Sequence, residues 1–507
     1  MHPSNVETFI MRHERIIVLA LCIVAACRIF IFNAAFPLFN NVDENQHFDL
    51  VYKYSQGYLP RSGMENYSRE AAELFVLYGT PEYLFKPEQF PDGSFYPPAW
   101  TYQNVRKSVY FDTKVSKWMQ WKNHETGSFP VYYMVAGLWC AIGKFLGMEG
   151  GNLLYWIRFL NVPLFVVLVW FSYLLARMLF PDILLQRVGL PLIVTFFPQD
   201  VFYSINSDVI SPLLFAVAFF QLLKVYFEDK SYCYHLFAGL IIAATFLTKL
   251  SNVTLLAFLS VILLLKVKRL LKEKQFKKYF PRLVTLLVVA AIPAGIWLVR
   301  NYFVLGDLSG SADKIEHLRW KVKPLGELLN HPILTHRGLF FFLKELTKTF
   351  WRGEFVWHLE RIASSGSDLF YIISTAVFIL VSGLGLVVNR DKADGRHRFA
   401  LTMSFCLLAI SVFLLAILSM LYDFSDCWYP SRDQPYLVSG RLISGVLLPF
   451  LIIYLDGLGR IFCRLRQYVN SLVVVVLICV AITCFEISLT AKVFTSRYNW
   501  FHLDKIK

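Results

Sequence analysis

The stretch IIVLALCIVAACRIFIFNAAF (Ile16–Phe36), followed at once by PLFNNVDENQHFDL (Pro37–Leu50), decides how the chain is read. The first part is broken only by Arg28 and Asn33 and is long enough to cross roughly 30 Å of hydrocarbon. The second part sets Asp43, Glu44, His47 and Asp49 just beyond the end of that span. A chain leaving a bilayer here presents two adjacent carboxylates and a histidine. VAAC (Val24–Cys27) has the outline of a lipoprotein cleavage box. Arg28 follows that cysteine directly and other apolar segments anchor the chain, so the run reads as an uncleaved first span.

Working outward, the pattern repeats. The 507 residues are 56% hydrophobic and 17% aromatic, more apolar surface than a soluble chain of this length can hide. Spans are expected near 14–36, 155–176, 188–205, 209–226, 235–248, 251–266, 283–303, 369–388, 399–421, 441–459 and 469–490, about eleven in all. The chain therefore reads as an all-α polytopic membrane protein. Its net charge of +14 belongs to loops on one side of a membrane and implies no nucleic-acid partner. Nine cysteines form no CxxC pair; Cys22, Cys233, Cys406, Cys479 and Cys484 lie in apolar runs and only Cys427 in a polar loop, so no disulfide framework is expected.

Charge also decides a further apolar stretch, FPVYYMVAGLWCAIGKFLG (Phe129–Gly147). If it does not cross, Arg12 and Arg15, Arg177 and Arg187, Lys224 and Lys230, Lys266–Arg282, Asn389–Arg398 and Arg460–Arg466 all fall on one side, as the positive-inside rule requires. It is therefore expected to lie in the outer interface. The expected organisation is a cytoplasmic N-terminus and first span (1–36), an external loop with interfacial helices (37–154), a transmembrane core (155–305), a second external loop (306–367), and C-terminal spans with an external tail (368–507). Asn66-Tyr67-Ser68 is a glycosylation sequon that matters only in a eukaryotic secretory membrane.

The chemistry-bearing residues fall on the external side. Asp43 is a candidate general base, and low dielectric there is expected to raise its pKa. Glu44 and His47 share a helix face, as do Asp43 and His47, a spacing that can hold a metal. It is not the HExxH of zinc proteases, because Asp43 stands where the first histidine would be. FFPQDVFYSINSDVIS (Phe196–Ser211) supplies Asp208, either a helix cap or a site residue. Lys249 in FLTKLSN, Arg300 in WLVRNYFVLGDLSG and Arg441 in YLVSGRLISG place cations at external span ends. Each alone can be a headgroup anchor; together with the acids they suit a phosphorylated, lipid-borne substrate.

In order along the chain, VDENQHF, SFYPPAW, SINSDVISPLLF, FLTKLSN, VRNYFVLGD and a late SGR resemble the GT-C superfamily of integral-membrane glycosyltransferases, which includes protein O-mannosyltransferases and lipid A aminoarabinose transferases. The resemblance covers most of the chain and is nearest to bacterial members. It implies a GT-C-like fold and transfer of a sugar from a polyprenyl-phosphate donor, with inversion, to a lipid, glycan or protein acceptor outside the cytoplasm, at the periplasmic face of a bacterial inner membrane. It makes Asp43 the catalytic base, Glu44 its support, and Lys249, Arg300 and Arg441 the donor-phosphate residues. Asp208, with His47, becomes a second acidic position near a divalent cation, Mg or Mn. The lack of a large soluble C-terminal domain argues against an oligosaccharyltransferase. The rival readings are a transporter or flippase of lipid-linked glycans and a surface-glycan polymerase or ligase.

Overall fold

Backbone in hydrocarbon must satisfy its own hydrogen bonds, and apolar runs of this length do so as helices. The structure, a computed structural model, describes residues 5–388, 395–424, 430–464 and 471–503. Cys427 and parts of the basic loops 389–398 and 460–466 lie outside the described residues. The helices are α1 (Asn5–Ala35), α2 (Glu44–Ser55), α3 (Arg69–Tyr78), α4 (Val109–Gln120), α5 (Val131–Phe145), α6 (Gly150–Phe159) and α7 (Asn161–Leu179). They continue as α8 (Leu184–Thr195), α9 (Ser211–Phe227), α10 (Tyr232–Phe246), α11 (Thr254–Lys272), α12 (Phe276–Leu305), α13 (Ala312–His317) and α14 (Leu325–Leu328). The last are α15 (His336–Arg352), α16 (Ser365–Val388), α17 (Gly395–Leu421), α18 (Leu447–Arg464) and α19 (Ser471–Phe494). The chain is an all-α polytopic membrane protein; the few strands are two-residue ribbons.

Among the described residues nine helical stretches are long and apolar enough to cross a membrane. The expected span 188–205 stops early, at Thr195, while 235–248 coincides with a helix that ends at Phe246. They fold as α8 and α10, of 12 and 15 residues. At 1.5 Å per residue these reach about 18 and 22 Å, short of the hydrocarbon thickness. Pro198 explains the first stop, since the residue before a proline is pushed out of helical conformation. The second comes where the chain turns extended at Lys249 (φ −159°). A hydropathy window does not register the early stop of α8. The effect of the two helix ends is to set two polar segments side by side, joined by Ser211 donating to Asn252 at 3.0 Å.

Successive membrane helices alternate in direction, and cross-contacts identify the two faces. On one face Asn206 donates to the Val42 carbonyl, Lys323 N donates to the Leu421 carbonyl, and Arg352 pairs with Asp368. On the other, Arg187 pairs with Glu14, Lys266 with Asp229, and Asp456 with both His397 and Arg460. The basic loops thus share the second face and the candidate acids the first. The span around α18 is 89% buried while that of α12 is 17% buried, so α18 is the central strut and α12 faces outward. Gly457 permits this packing: a Cβ there would collide with the Phe378 carbonyl of α16.

Arg28 links α1 to α19. Its guanidinium pairs with Glu486 of α19 at 2.6 Å and donates to the carbonyls of Thr195 and Phe197, both at 3.2 Å. Those carbonyls sit at the end of α8, where helical partners run out.

Over the first face lies a layer of short helices. α5 is 15 residues and packs on α2 and α6 within this layer. Glu65–Asn66 pairs antiparallel with Lys122–Asn123, and Lys321–Val322 with Tyr422–Asp423, so each outer loop is stapled.

Candidate active site

Pro37 ends the first helical run, and the chain turns sharply to start α2. Asp43 is the N-cap residue of α2 in the left-handed region (φ 63°), which is unusual for a residue with a Cβ and directs its side chain away from that of Glu44. The two neighbours therefore have opposite surroundings.

Glu44 faces inward and has no solvent exposure. It forms a two-point ion pair with Arg158 (2.9 and 2.6 Å) and accepts from the amides of Phe39 (2.8 Å) and Ile205 (2.8 Å). Arg158, equally buried, also donates to the carbonyls of Asn33 and Pro37. The pair closes the carbonyl end of α1 and has no free donor or acceptor to offer a substrate. Asp49 is likewise committed, accepting from Ser68 and Asn123 and pairing with Lys53.

Asp43 faces a cavity of about 180 Å³ lined by His47, His124, Glu125, Ser128, Asn206, Lys249, Lys314 and Arg441 among others. Arg441 is the hub. It reaches Asp43 at 3.2 Å, Asp208 at 3.4 Å and Glu354 at 3.5 Å. Asp208, with no exposure, also pairs with Lys249. Asp208 is free to do this because the cap of its turn is Asn206, whose side chain accepts from the Asp208 amide. On the far wall His124 lies 3.7 Å from Asp43 and 3.8 Å from Glu125, and Glu125 pairs with Lys314.

Of the residues singled out in the sequence, Asp43, His47, Lys249, Asp208 and Arg441 meet here; Glu44 and Arg300 do not line the cavity. Arg300 donates to the Pro60 carbonyl and lies over the Trp297 ring. His47 is not part of the group of ligand atoms gathered around Asp43, and its Nδ1 lies 2.7 Å from the Tyr133 hydroxyl. Burial lowers the His47 pKa to about 4, with Arg441 adding to the effect, so the ring stays neutral. Nor is Asp208 open to a metal, since its two oxygens face Lys249 and Arg441.

A cation site is offered instead by Asp43, His124 and Glu125, whose ligand atoms lie within 4.8 Å of one another. Two carboxylates and an imidazole suit Mg, Mn or Zn. His124, Glu125, Lys314 and Glu354 were not found by sequence reasoning. Their one local signal is a His-Glu pair ahead of Gly127 in a polar loop.

Electrostatics overturns the expected raised pKa of Asp43. Burial alone would push its carboxyl up. The hydrogen bond from His124 and the charges of Arg441, His124 and Lys314 outweigh this and hold it well below the usual carboxylate range. Glu125 is also held low: burial opposes ionisation, and Lys314 and His124 reverse the balance. Both are anions at any physiological pH.

Asp200 is the contrasting acid. It accepts from the amides of Glu354 (2.7 Å) and Phe355 (2.5 Å) and so pins the loop that carries Glu354 to Arg441. Burial raises its pKa to about 7. A carboxyl whose pKa is raised on folding binds more protons folded than unfolded, so its contribution to stability is full below about pH 4 and is lost as pH rises through 7. The change is of order 4 kcal/mol. The apparent unfolding temperature in detergent is expected to fall over that range, and Asp200→Asn to flatten the fall. An unchanged slope in the variant would mean that Asp200 titrates normally.

A family model described as "Predicted membrane protein (DUF2142)" matches residues 28–426. No curated protein sequence matches the chain. Among solved structures, the chain is similar to an Archaeoglobus fulgidus oligosaccharyltransferase in complex with Zn and sulfate, at 15% identity and a TM-score of 0.43, over 94% of this chain and 53% of that one. It is also similar to the archaeal oligosaccharyltransferase AglB from Archaeoglobus fulgidus in complex with an inhibitory peptide and a dolichol-phosphate, at 13% identity and a TM-score of 0.46, over 96% and 56%. The chain thus spans about half the length of these structures.

Proposed function

Because the chain belongs to the DUF2142 family of predicted membrane proteins, we propose for this member a specific activity: a GT-C-type glycosyltransferase that moves a sugar from a polyprenyl-phosphate donor to an acceptor outside the cytoplasm. The observation that carries this reading is convergence. Asp43, Asp208, Lys249 and Arg441 come from four of the six motifs that resemble that superfamily, and they meet around one cavity at the ends of the membrane helices. The basic loops lie on the opposite face, which supports a periplasmic position for the cavity.

The chemistry follows from the charges. An acceptor hydroxyl donates to Asp43, attacks the anomeric carbon from the side opposite the phosphate, and forms the new C–O bond as the bond to the phosphate oxygen breaks. The configuration inverts, the acceptor proton passes to Asp43 and on to water, and polyprenyl phosphate leaves. Lys249 uses one donor on Asp208 and has two more for the departing phosphate; Arg441 stabilises charge on the same wall. Asp208 positions both cations. Lys249, Arg441 and Lys314 are each already paired with a carboxylate, so a phosphate gains from further positive charge. A divalent ion held by Asp43, His124 and Glu125 would supply it and acidify the acceptor hydroxyl.

Lys249→Met is expected to raise KM for the donor by about tenfold or more, the value of a charge-assisted hydrogen bond to phosphate, with a smaller effect on acceptor KM. Steady-state transfer in membranes, with donor and acceptor varied in turn, checks this. Equal change in both constants would place Lys249 outside the donor subsite.

A further inference from the structure

Lys314 enters the site from the second outer loop, and nothing in its local sequence marks it. Its backbone is firmly set. The Asp307 carboxylate accepts from the amides of Ser309 (2.6 Å), Gly310 (2.8 Å) and Ala312 (2.8 Å), which fixes the turn ahead of α13. Gly310 (φ 72°) then lies back to back with Gly127, and a Cβ on either would strike the other's carbonyl. This contact registers the second loop on the first and aligns Lys314 with Glu125.

The side chain is differently placed from its backbone. The Lys314 ammonium pairs with Glu125, while its side chain is 34% exposed; the Lys249 side chain is 18% exposed and that of Arg441 19%. Among the three cations it is thus the one with most room, and lysine is a flexible point charge. Its partner Glu125 is one of the three groups able to hold a divalent ion. Ammonium and metal ion therefore compete for the same carboxylate, and like charges will not share it closely.

Resting on the transferase reading above, we infer that Lys314 is an exchangeable occupant of the cation site. It neutralises Glu125 until a divalent ion binds, is displaced by that ion, and then turns across the cavity to become a further ligand of the substrate phosphate. The arrangement ties formation of the full phosphate site to arrival of the ion. Two cations, Lys249 and Arg441, stay anchored on Asp208; the third is delivered on demand.

The test uses the full-length protein in detergent, with Mn2+ binding followed by electron paramagnetic resonance. Lys314→Met is expected to bind Mn2+ about tenfold more tightly than the unaltered protein, because the competitor is gone. Lys314→Gln should behave alike. Asp43→Asn should weaken Mn2+ binding tenfold or more through loss of a ligand. Inorganic phosphate should tighten Mn2+ binding in the unaltered protein and do so less in Lys314→Met, since binding linkage is reciprocal. If Asp43→Asn weakens Mn2+ binding but Lys314→Met leaves it unchanged or weaker, the exchange idea falls and the cation site stands. If phosphate acts equally on both proteins, Lys314 is no phosphate ligand. If Asp43→Asn binds Mn2+ normally, the cation site falls and the exchange with it.

Discussion

Membranes carrying Asp43→Asn are expected to transfer sugar about a thousandfold more slowly than those carrying the unaltered chain, the usual scale for loss of a proton-accepting group. Asparagine keeps the size of the side chain and a hydrogen-bond acceptor, so the fold should survive. It cannot take the acceptor proton, and it gives up the charge that faces Arg441 and His124. The pKa of Asp43, held low by His124, Arg441 and Lys314, adds a second expectation. The transfer rate should show no acid limb from Asp43 near pH 4, because the group is already ionised there. Purified variant of normal melting temperature and normal turnover would remove Asp43 from the chemistry. Donor consumed without product in the unaltered protein would favour transport over transfer.

Glu44→Ala is expected to fail differently: little folded protein, not folded protein with little activity. The substitution strands the guanidinium of Arg158, which has no solvent exposure, and removes the acceptor for the amides of Phe39 and Ile205. Breaking a buried ion pair from one side costs about 3–5 kcal/mol, a large part of the stability of most domains. Arg158→Ala should be as damaging. A double replacement, Glu44→Met with Arg158→Leu, should recover part of the loss, because neither charge is then left alone. Yield and melting temperature in detergent report this directly. A Glu44→Ala protein as stable as the parent but inactive would return Glu44 to the catalytic group.

The contrast between these neighbours shows where sequence reading works. Apolar length and loop charge were enough to find the helices, their alternation and the face on which the acids gather, because a bilayer imposes those features locally along the chain. Asp43, Lys249, Asp208 and Arg441 were legible for the same reason: a charge at the end of a span stands out. Glu44 was misjudged because adjacency in sequence hides direction; a left-handed φ at Asp43 sends the two side chains apart. Arg300 looked like the other span-end cations, yet a carbonyl and an indole ring claim it. His124, Glu125, Lys314 and Glu354 lie in polar loops where charge is unremarked, and only the folding of one loop on the other gives them meaning. The short reach of α8 was masked by apolar residues that continue past its end.

The bond between Arg28 and Glu486 has a consequence for how the molecule is made. Glu486 follows Arg28 by 458 residues, so it reaches the membrane much later in synthesis. In the interval a guanidinium sits in the first helix without its counter-ion. The carbonyls of Thr195 and Phe197 arrive much sooner and offer it temporary shelter. One guanidinium thus ties three helices: carbonyls at the end of α8 and the carboxylate of α19 both hold Arg28 of α1. A chain arrested before residue 486 would retain most of its hydrophobic spans but leave a buried arginine without its counter-ion, a cost the finished bundle does not carry.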